Sequence, residues 1–250
     1  MAAVLETTGL TKTFGALAAA SDISVRVEED SVLGLIGGNG AGKTTFLNLI
    51  TGYLKPTGGR IVYRGREITA LSPRQVTHLG ICRSFQIPQV FDSLTVIENL
   101  LVGTGIAGRA LEDRTGAQAA ADALLARFHL TAHRLELAGV LPEGIRKLLD
   151  IALALVTKPA LLLLDEPTSG VSAEEKFALM DLVLGAIRNE RVTVLFVEHD
   201  MDIVRRYAHR ILAFHEGRVI ADGPPAEVLA SAEVRRLIVG EEPRPAAARG

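Results

Sequence analysis

Apolar and polar positions change rhythm along this chain, and each change predicts a different kind of element. Val4–Leu10 reads as a first strand, with Thr11-Lys12-Thr13-Phe14-Gly15 as the turn that ends it. Ile23–Glu28 alternates apolar and polar residues, as an antiparallel strand with one wet face does. Ser31–Ile36 is a short buried strand, and Thr45–Ile50 opens a helix. Pro56-Thr57-Gly58-Gly59 predicts a turn before a short strand at Arg60–Arg64. Ser72 as N-cap with Pro73 at the first helical position predicts a helix start. Ile81–Phe85 returns as a strand that ends at Gln86.

From about Ile87 to Leu149 strand signals vanish, alanine becomes frequent and apolar residues recur at helical spacing. Leu94–Leu101 and Ala117–Leu130 are the clearest helices. The pattern predicts a helical subdomain over 87–149, inserted into an α/β core made of 1–86 and 150–240, with 241–250 as a flexible tail. The core resumes with Ala160–Leu164, a continuous apolar run that suits a strand buried on both faces, and ends in Asp165-Glu166. A helix at Ala173–Arg188, a buried strand at Val192–Val197 and a helix at Met201–Ala208 follow. Ile211–Phe214 and Arg218–Ala221 make a terminal hairpin around Glu216-Gly217. This alternation points to an α/β fold with a largely parallel sheet.

Composition narrows the picture. The 250 residues are 48% hydrophobic and 22% charged, an ordinary globular balance. A formal charge of −2 argues against a general nucleic-acid binder, so no nucleic-acid partner is expected. Cys82 is the only cysteine, which excludes an internal disulfide and fits a cytoplasmic chain. The richest apolar region, Ile151–Leu164, is broken by Lys158-Pro159 and reads as helix, turn and strand rather than a membrane span. The first residues carry no export signal.

Candidate chemistry centres on Gly37-Gly-Asn-Gly-Ala-Gly-Lys-Thr-Thr45, which fits G-x-x-x-x-G-K-[ST] between a strand and a helix. Glycines let successive N–H groups point inward as an anion nest, and the helix adds its free N–H groups and positive dipole end. Gly37, Asn39, Gly40, Ala41, Gly42, Lys43, Thr44 and Thr45 are therefore the expected nucleotide contacts. Lys43 supplies a point charge for the β- and γ-phosphates, and the Thr44 hydroxyl is a magnesium ligand. Asp165 is placed to hold magnesium through water, and Glu166 to act as general base on the attacking water. His199 follows the next strand and has a hydrogen bond to offer the γ-phosphate, and Gln86 sits where a polar side chain meets the magnesium or the water. In a parallel sheet all of these fall at the carboxyl ends of strands, where ligands bind. His129 and His133 have helical i, i+4 spacing but lack the glutamate of a metalloprotease helix. Gly103–Gly108 matches G-x-G-x-x-G after a helical stretch instead of a strand, so it reads as a flexible loop. No guanine-reading Asn-Lys-x-Asp occurs.

With these motifs in order, the chain resembles the nucleotide-binding subunits of ABC transporters over roughly residues 4 to 240. Phe14 matches the aromatic that stacks on adenine, Gly37–Thr45 the Walker A loop and Gln86 the Q-loop. Leu161–Glu166 match Walker B plus the catalytic glutamate, 168–172 the D-loop and His199 the switch histidine. The resemblance implies a P-loop NTPase (RecA-like) core with an antiparallel β subdomain and an inserted α-helical subdomain, and ATP with Mg2+ as ligands. It also implies integral-membrane permease subunits as partners, an extracytoplasmic solute-binding protein acting through them, and a peripheral place on the cytoplasmic face of the inner membrane. Phe85-Gln86, Leu94–Asn99 and Val197–Met201 are similar to the subunits that power uptake of branched-chain or other hydrophobic amino acids.

One segment departs from the family pattern. Leu141-Pro142-Glu143-Gly144-Ile145 stands where the family has Leu-Ser-Gly-Gly-Gln, the segment that contacts the γ-phosphate held by the opposite subunit. Pro142 has no hydroxyl, Ile145 no polar group, and Glu143 brings a negative charge towards a phosphate unless it points away. Ser172 ends the D-loop where Asp is common. A degraded signature beside intact Walker motifs implies a second, non-identical ATPase subunit as partner. Two alternatives stay open: a non-transport ABC-type ATPase, and a regulatory nucleotide-binding module with weak hydrolysis.

Overall fold

The computed structural model describes residues 2–106, 114–188 and 190–240. Among these residues the strands form two sheets. The first is antiparallel. β1 (Ala3–Phe14) pairs with β2 (Leu17–Glu28), setting Thr7 opposite Val25 and Phe14 opposite Leu17. Its other edge takes β4 (Gly58–Tyr63), which pairs with the short β5 (Arg66–Glu67). The second sheet has the order β10-β9-β3-β8-β7-β6. Its members are β3 (Val32–Gly37), β6 (Ile81–Ser84), β7 (Leu161–Asp165), β8 (Thr193–Val197), β9 (Arg210–His215) and β10 (Arg218–Gly223). All are parallel to their neighbours except the edge strand β10.

The period of two explains how one sheet serves two cores. Leu33, Leu35, Leu161, Leu163, Leu195, Val197, Leu212 and Phe214 face the antiparallel sheet and helix α1 (Lys43–Ile50), where Phe46 and Leu47 meet them. Ile36, Leu162, Leu164, Val194, Phe196, Ile211 and Ala213 face the other way, onto the helices. Those helices are α3 (Val96–Ile106), α4 (Arg114–Arg127), α5 (Glu143–Leu155), α6 (Glu175–Ile187) and α7 (Met201–Tyr207). The short helix α2 (Pro73–His78) begins with a complete capping box between Ser72 and Gln75, as Ser72-Pro73 predicts. The described residues end with α8 (Pro225–Ala230), α9 (Ala232–Val234) and a π-helical turn at Arg235–Val239.

Several expectations are corrected. Thr11–Phe14 is not a turn but the end of β1, paired with β2, and Thr57 N–H also donates to Thr11 C=O at 2.8 Å. Polar residues on both faces of this exposed hairpin end hide the strand from a pattern reading. β4 likewise starts at Gly58, inside the expected Pro56–Gly59 turn. Gly103–Ile106 is the last turn of α3 and not a loop, while Ala107 and Gly108 lie outside the described residues. A Cβ on Gly103 would stand 3.1 Å from Leu153 Cδ2 and 3.3 Å from Val156 Cγ2, so glycine there lets α3 approach α5. α4 ends at Arg127; His129 has φ 54° and His133 lies in the 3-10 turn Thr131–His133, so the two histidines share no helix. The limit drawn at 149/150 falls inside the continuous helix α5. The expected tail, 241–250, lies outside the described residues.

Candidate functional site

Strand ends set the positions. β3 leads into the glycine-rich loop, and Lys43 begins α1. Gly42 has φ 104°, and a Cβ there would lie 2.7 Å from Ala19 C=O, so only glycine admits this close pass of the loop beneath β2. The loop is also fixed from the β9–β10 turn, where Gly217 N–H donates to Ala41 C=O at 3.0 Å. Asn39, Gly40 and Thr44 are exposed, and Thr45 is half-buried. Lys43 is 6% exposed and folds back over its own loop, donating to Gly37 C=O at 2.6 Å and Gly38 C=O at 3.0 Å. Burial lowers its pKa, and the fields of Glu166 and Asp165 oppose that shift.

Three of the expected residues meet directly. Glu166 Oε1 lies 2.8 Å from His199 Nε2, and Glu166 Oε2 accepts from Gln86 Nε2 at 2.8 Å. Glu166 follows β7, His199 follows β8 and Gln86 follows β6, and these strands are adjacent in the sheet. The carboxylate is thus held at both oxygens, in line with a base that must be oriented before it can accept a proton. Glu166 also has φ 50°, a left-handed conformation uncommon outside glycine.

Asp165 is oriented differently. Its Oδ2 accepts from Arg83 on β6, and both side chains are under 10% exposed. Arg83 also donates to Asn48 Oδ1 on α1 at 2.6 Å and stacks 4.9 Å from the Phe85 ring centroid. Phe85 in turn meets Tyr53 edge-on at 6.0 Å. Phe14 stands apart from this cluster, half-exposed at the tip of the β1–β2 hairpin with Lys12 Nζ 5.1 Å from its ring centroid.

The donor set suits a magnesium ion carried in with a nucleotide. No group of three or more His, Cys, Asp or Glu able to cage a metal occurs among the described residues. Thr44 hydroxyl and Asp165 carboxylate are hard oxygen donors, and Mg2+ is commonly held by one or two protein oxygens together with phosphate oxygens.

Sequence reasoning missed four charged residues that organise the site. Glu198, 4% exposed, accepts from Thr168 N at 2.9 Å and from Thr168 Oγ1 at 2.7 Å, bracing the loop after Glu166. Asp150 on α5 accepts from Ser84 Oγ at 2.6 Å, Phe85 N at 3.0 Å and Gln89 N at 2.8 Å, which ties the helical region to the segment around Gln86. Burial raises its pKa, and those hydrogen bonds pull it back. Arg83 and Lys147 complete the set. The available signal was charge at positions that the strand and helix periods assign to a buried face.

Asp150→Leu is expected to cost about 3 kcal/mol of unfolding free energy, because it takes the acceptor from one buried and two partly buried donors. Urea denaturation measures this. A loss under about 0.5 kcal/mol would show that the three bonds hold nothing.

The profile of the ABC transporter family matches residues 20–169. The chain is 36% identical over 250 residues to the high-affinity branched-chain amino acid transport ATP-binding protein LivG of Salmonella typhimurium, covering 95% of this chain and 98% of that protein. It is 35% identical, over the same shares, to the corresponding protein BraF of Pseudomonas aeruginosa. Among solved structures it is similar to an ATP-binding cassette of an ABC transporter in its ADP conformation, with a TM-score of 0.84 and 31% identity over 96% of this chain and 100% of that one.

Proposed function

Because the chain belongs to the ABC transporter family, as its ATP-binding cassette, we propose that it is the ATP-hydrolysing subunit of an importer for branched-chain or related hydrophobic amino acids. The observation that carries the hydrolytic part is the Glu166 carboxylate held between Gln86 and His199 beside the phosphate loop. The amino-acid part rests on the names of relatives matched over nearly their whole length.

In this reading ATP lies along Gly37–Thr45, its adenine against Phe14 and its phosphates on the loop N–H groups. Lys43 leaves the Gly37 and Gly38 carbonyls for the β- and γ-phosphates. Thr44 and Asp165, the latter through water, would hold the magnesium, which withdraws charge from the phosphates. Glu166 takes the proton of the attacking water, Gln86 helps to orient that water, and His199 steadies the γ-phosphate. The two sheets and the helices packed on them act as the catalytic core, and the helical region between Gln86 and α5 as the part that meets partners.

The partners follow from the same reading. A cleft of about 300 Å³ lined by Tyr53, Phe85, Gln89, Phe91 and Leu153 opens beside Gln86. Tyr53 and Phe91 are half-exposed there and Ile87 nearby is 75% exposed. This cleft suits an apolar segment of a membrane permease. As the ATP-binding subunit of an importer the chain would sit peripherally on the permease, at the cytoplasmic face; no helix among the described residues is long and apolar enough to cross a membrane. The solute-binding protein would act through the permease. The Pro142-Glu143 departure supports a second ATPase subunit of different sequence, whose intact signature completes the site built on Gly37–Thr45.

Affinity purification of the tagged chain from detergent-solubilised membranes tests the assembly. It is expected to bring down hydrophobic permease subunits and a second, distinct ATPase subunit. Recovery of nucleic acid without any membrane partner would overturn the transport reading, and a pure homodimer on the permease would overturn the heteromeric one.

A further inference from the structure

The helix that carries the altered signature also grips the loop behind the catalytic strand. Lys147 on α5 is 3% exposed. Its Nζ donates to the main-chain carbonyl of Glu166 at 3.1 Å and to that of Ser169. The Glu166 carbonyl also receives Ser169 N–H at 3.1 Å, while Glu166 N–H donates to Val197 C=O at 3.1 Å. These bonds surround a residue with φ 50°, a conformation that persists only where its surroundings over-determine it.

Glu143, one turn before Lys147, reaches the same loop. Gly170 has φ 75°, and a Cβ there would lie 2.8 Å from Glu143 Oε2. The Glu143 carboxylate therefore packs against Gly170 of its own chain. Burial lowers the pKa of Lys147, and Glu143 supplies the largest opposing field. Glu143 is thus turned back onto this chain's own catalytic loop instead of outward to a neighbour's phosphate.

We propose that Lys147 is a positioning residue for ATP hydrolysis: it holds the Glu166 backbone in its left-handed turn and so keeps the carboxylate between Gln86 and His199. The signature helix of this chain is thereby linked in cis to its own hydrolytic loop. The inference rests on the reading of Glu166 as the general base.

The test uses the assembled transporter for turnover and the full-length chain for binding. Lys147→Met keeps the chain's bulk and removes its donor. It should lower kcat by roughly 10- to 100-fold, as misplacement of a reacting group does, with KM for ATP and the Kd of a fluorescent ATP analogue within about twofold. Lys147→Gln, which restores an N–H donor, should recover part of the loss. In a Glu166→Gln background, Lys147→Met should change the residual rate by less than about twofold, because both act through one group. An unchanged kcat, or a loss confined to KM, overturns the proposal. So does a full additional loss in the Glu166→Gln background. If the methionine variant does not melt cooperatively, Lys147→Gln decides: wild-type kcat overturns the proposal, and reduced kcat at unchanged KM supports it. Normal turnover in Glu166→Gln alone would refute the base assignment. Blocked turnover there with intact turnover in Lys147→Met would refute only the role of Lys147.

Discussion

Glu166→Gln is expected to bind ATP normally and turn it over about 10²- to 10⁴-fold more slowly, the usual worth of a positioned general base. The amide is nearly isosteric with the carboxylate. Its carbonyl oxygen can still accept from Gln86 Nε2, which now lies 2.8 Å from Glu166 Oε2. The neighbourhood should therefore persist while proton acceptance is lost. The left-handed φ of 50° is a backbone property and survives the exchange. The measurements are steady-state ATPase activity of the reconstituted transporter and nucleotide affinity of the same variant. Robust turnover would mean that the attacking water gives its proton elsewhere. His199→Ala removes the contact at the other oxygen, 2.8 Å away, and should also slow hydrolysis, but less, because the base itself remains.

The second large effect is expected in binding. Lys43→Met should weaken ATP affinity by about 100-fold, the equivalent of about 3 kcal/mol for lost charge-assisted hydrogen bonds. The ammonium is already desolvated and sits on the Gly37 and Gly38 carbonyls at 2.6 and 3.0 Å. Its transfer to phosphate oxygens exchanges neutral acceptors for charged ones, so the gain appears only with nucleotide present. Methionine keeps the aliphatic length and suits the start of α1, so the fold should survive. Fluorescence titration with an ATP analogue reads the change, and circular dichroism checks the fold. A Kd within threefold of the parent would mean that the loop N–H groups alone carry the phosphates.

These effects centre on residues that differ in how far the sequence exposes them. Lys43 belongs to a contiguous motif whose spacing encodes its own geometry, because a helix must follow a loop of inward-pointing N–H groups. Ser72 declares its capping box for the same local reason. Asp165-Glu166 stands out because four leucines precede it. By contrast, Arg83, Lys147, Asp150 and Glu198 show along the chain only as charges out of step with the buried face their periods assign them, with nothing to say what they bind. Their partners are distant in sequence: Asp165 is 82 residues from Arg83, and Glu198 is 30 residues from Thr168.

The same limit explains the corrected elements. Thr11–Phe14 is a strand because β2 and the Thr57 region supply its hydrogen bonds, not because of its own residues. Gly103 is helical despite glycine's poor helix propensity, and the reason for glycine is α5, so close that a Cβ would stand 3.1 Å from Leu153 Cδ2. The Glu143 carboxylate is a liability when read along the chain, and in space it lies against Gly170 of its own loop.

What the sequence determined by itself is what short-range physics encodes: the phosphate loop, the doubly buried strands, the α/β alternation and the cap of α2. The tertiary structure alone decided which oxygen of Glu166 faces His199 and which faces Gln86, that Arg83 grips Asp165, and that Lys147 holds the catalytic loop. The reason is physical. Backbone periodicity and capping act over a few residues and are written in consecutive letters. Burial of a charge and the direction of a carboxylate depend on groups brought together across strand edges, whose separation along the chain carries no trace of their contact.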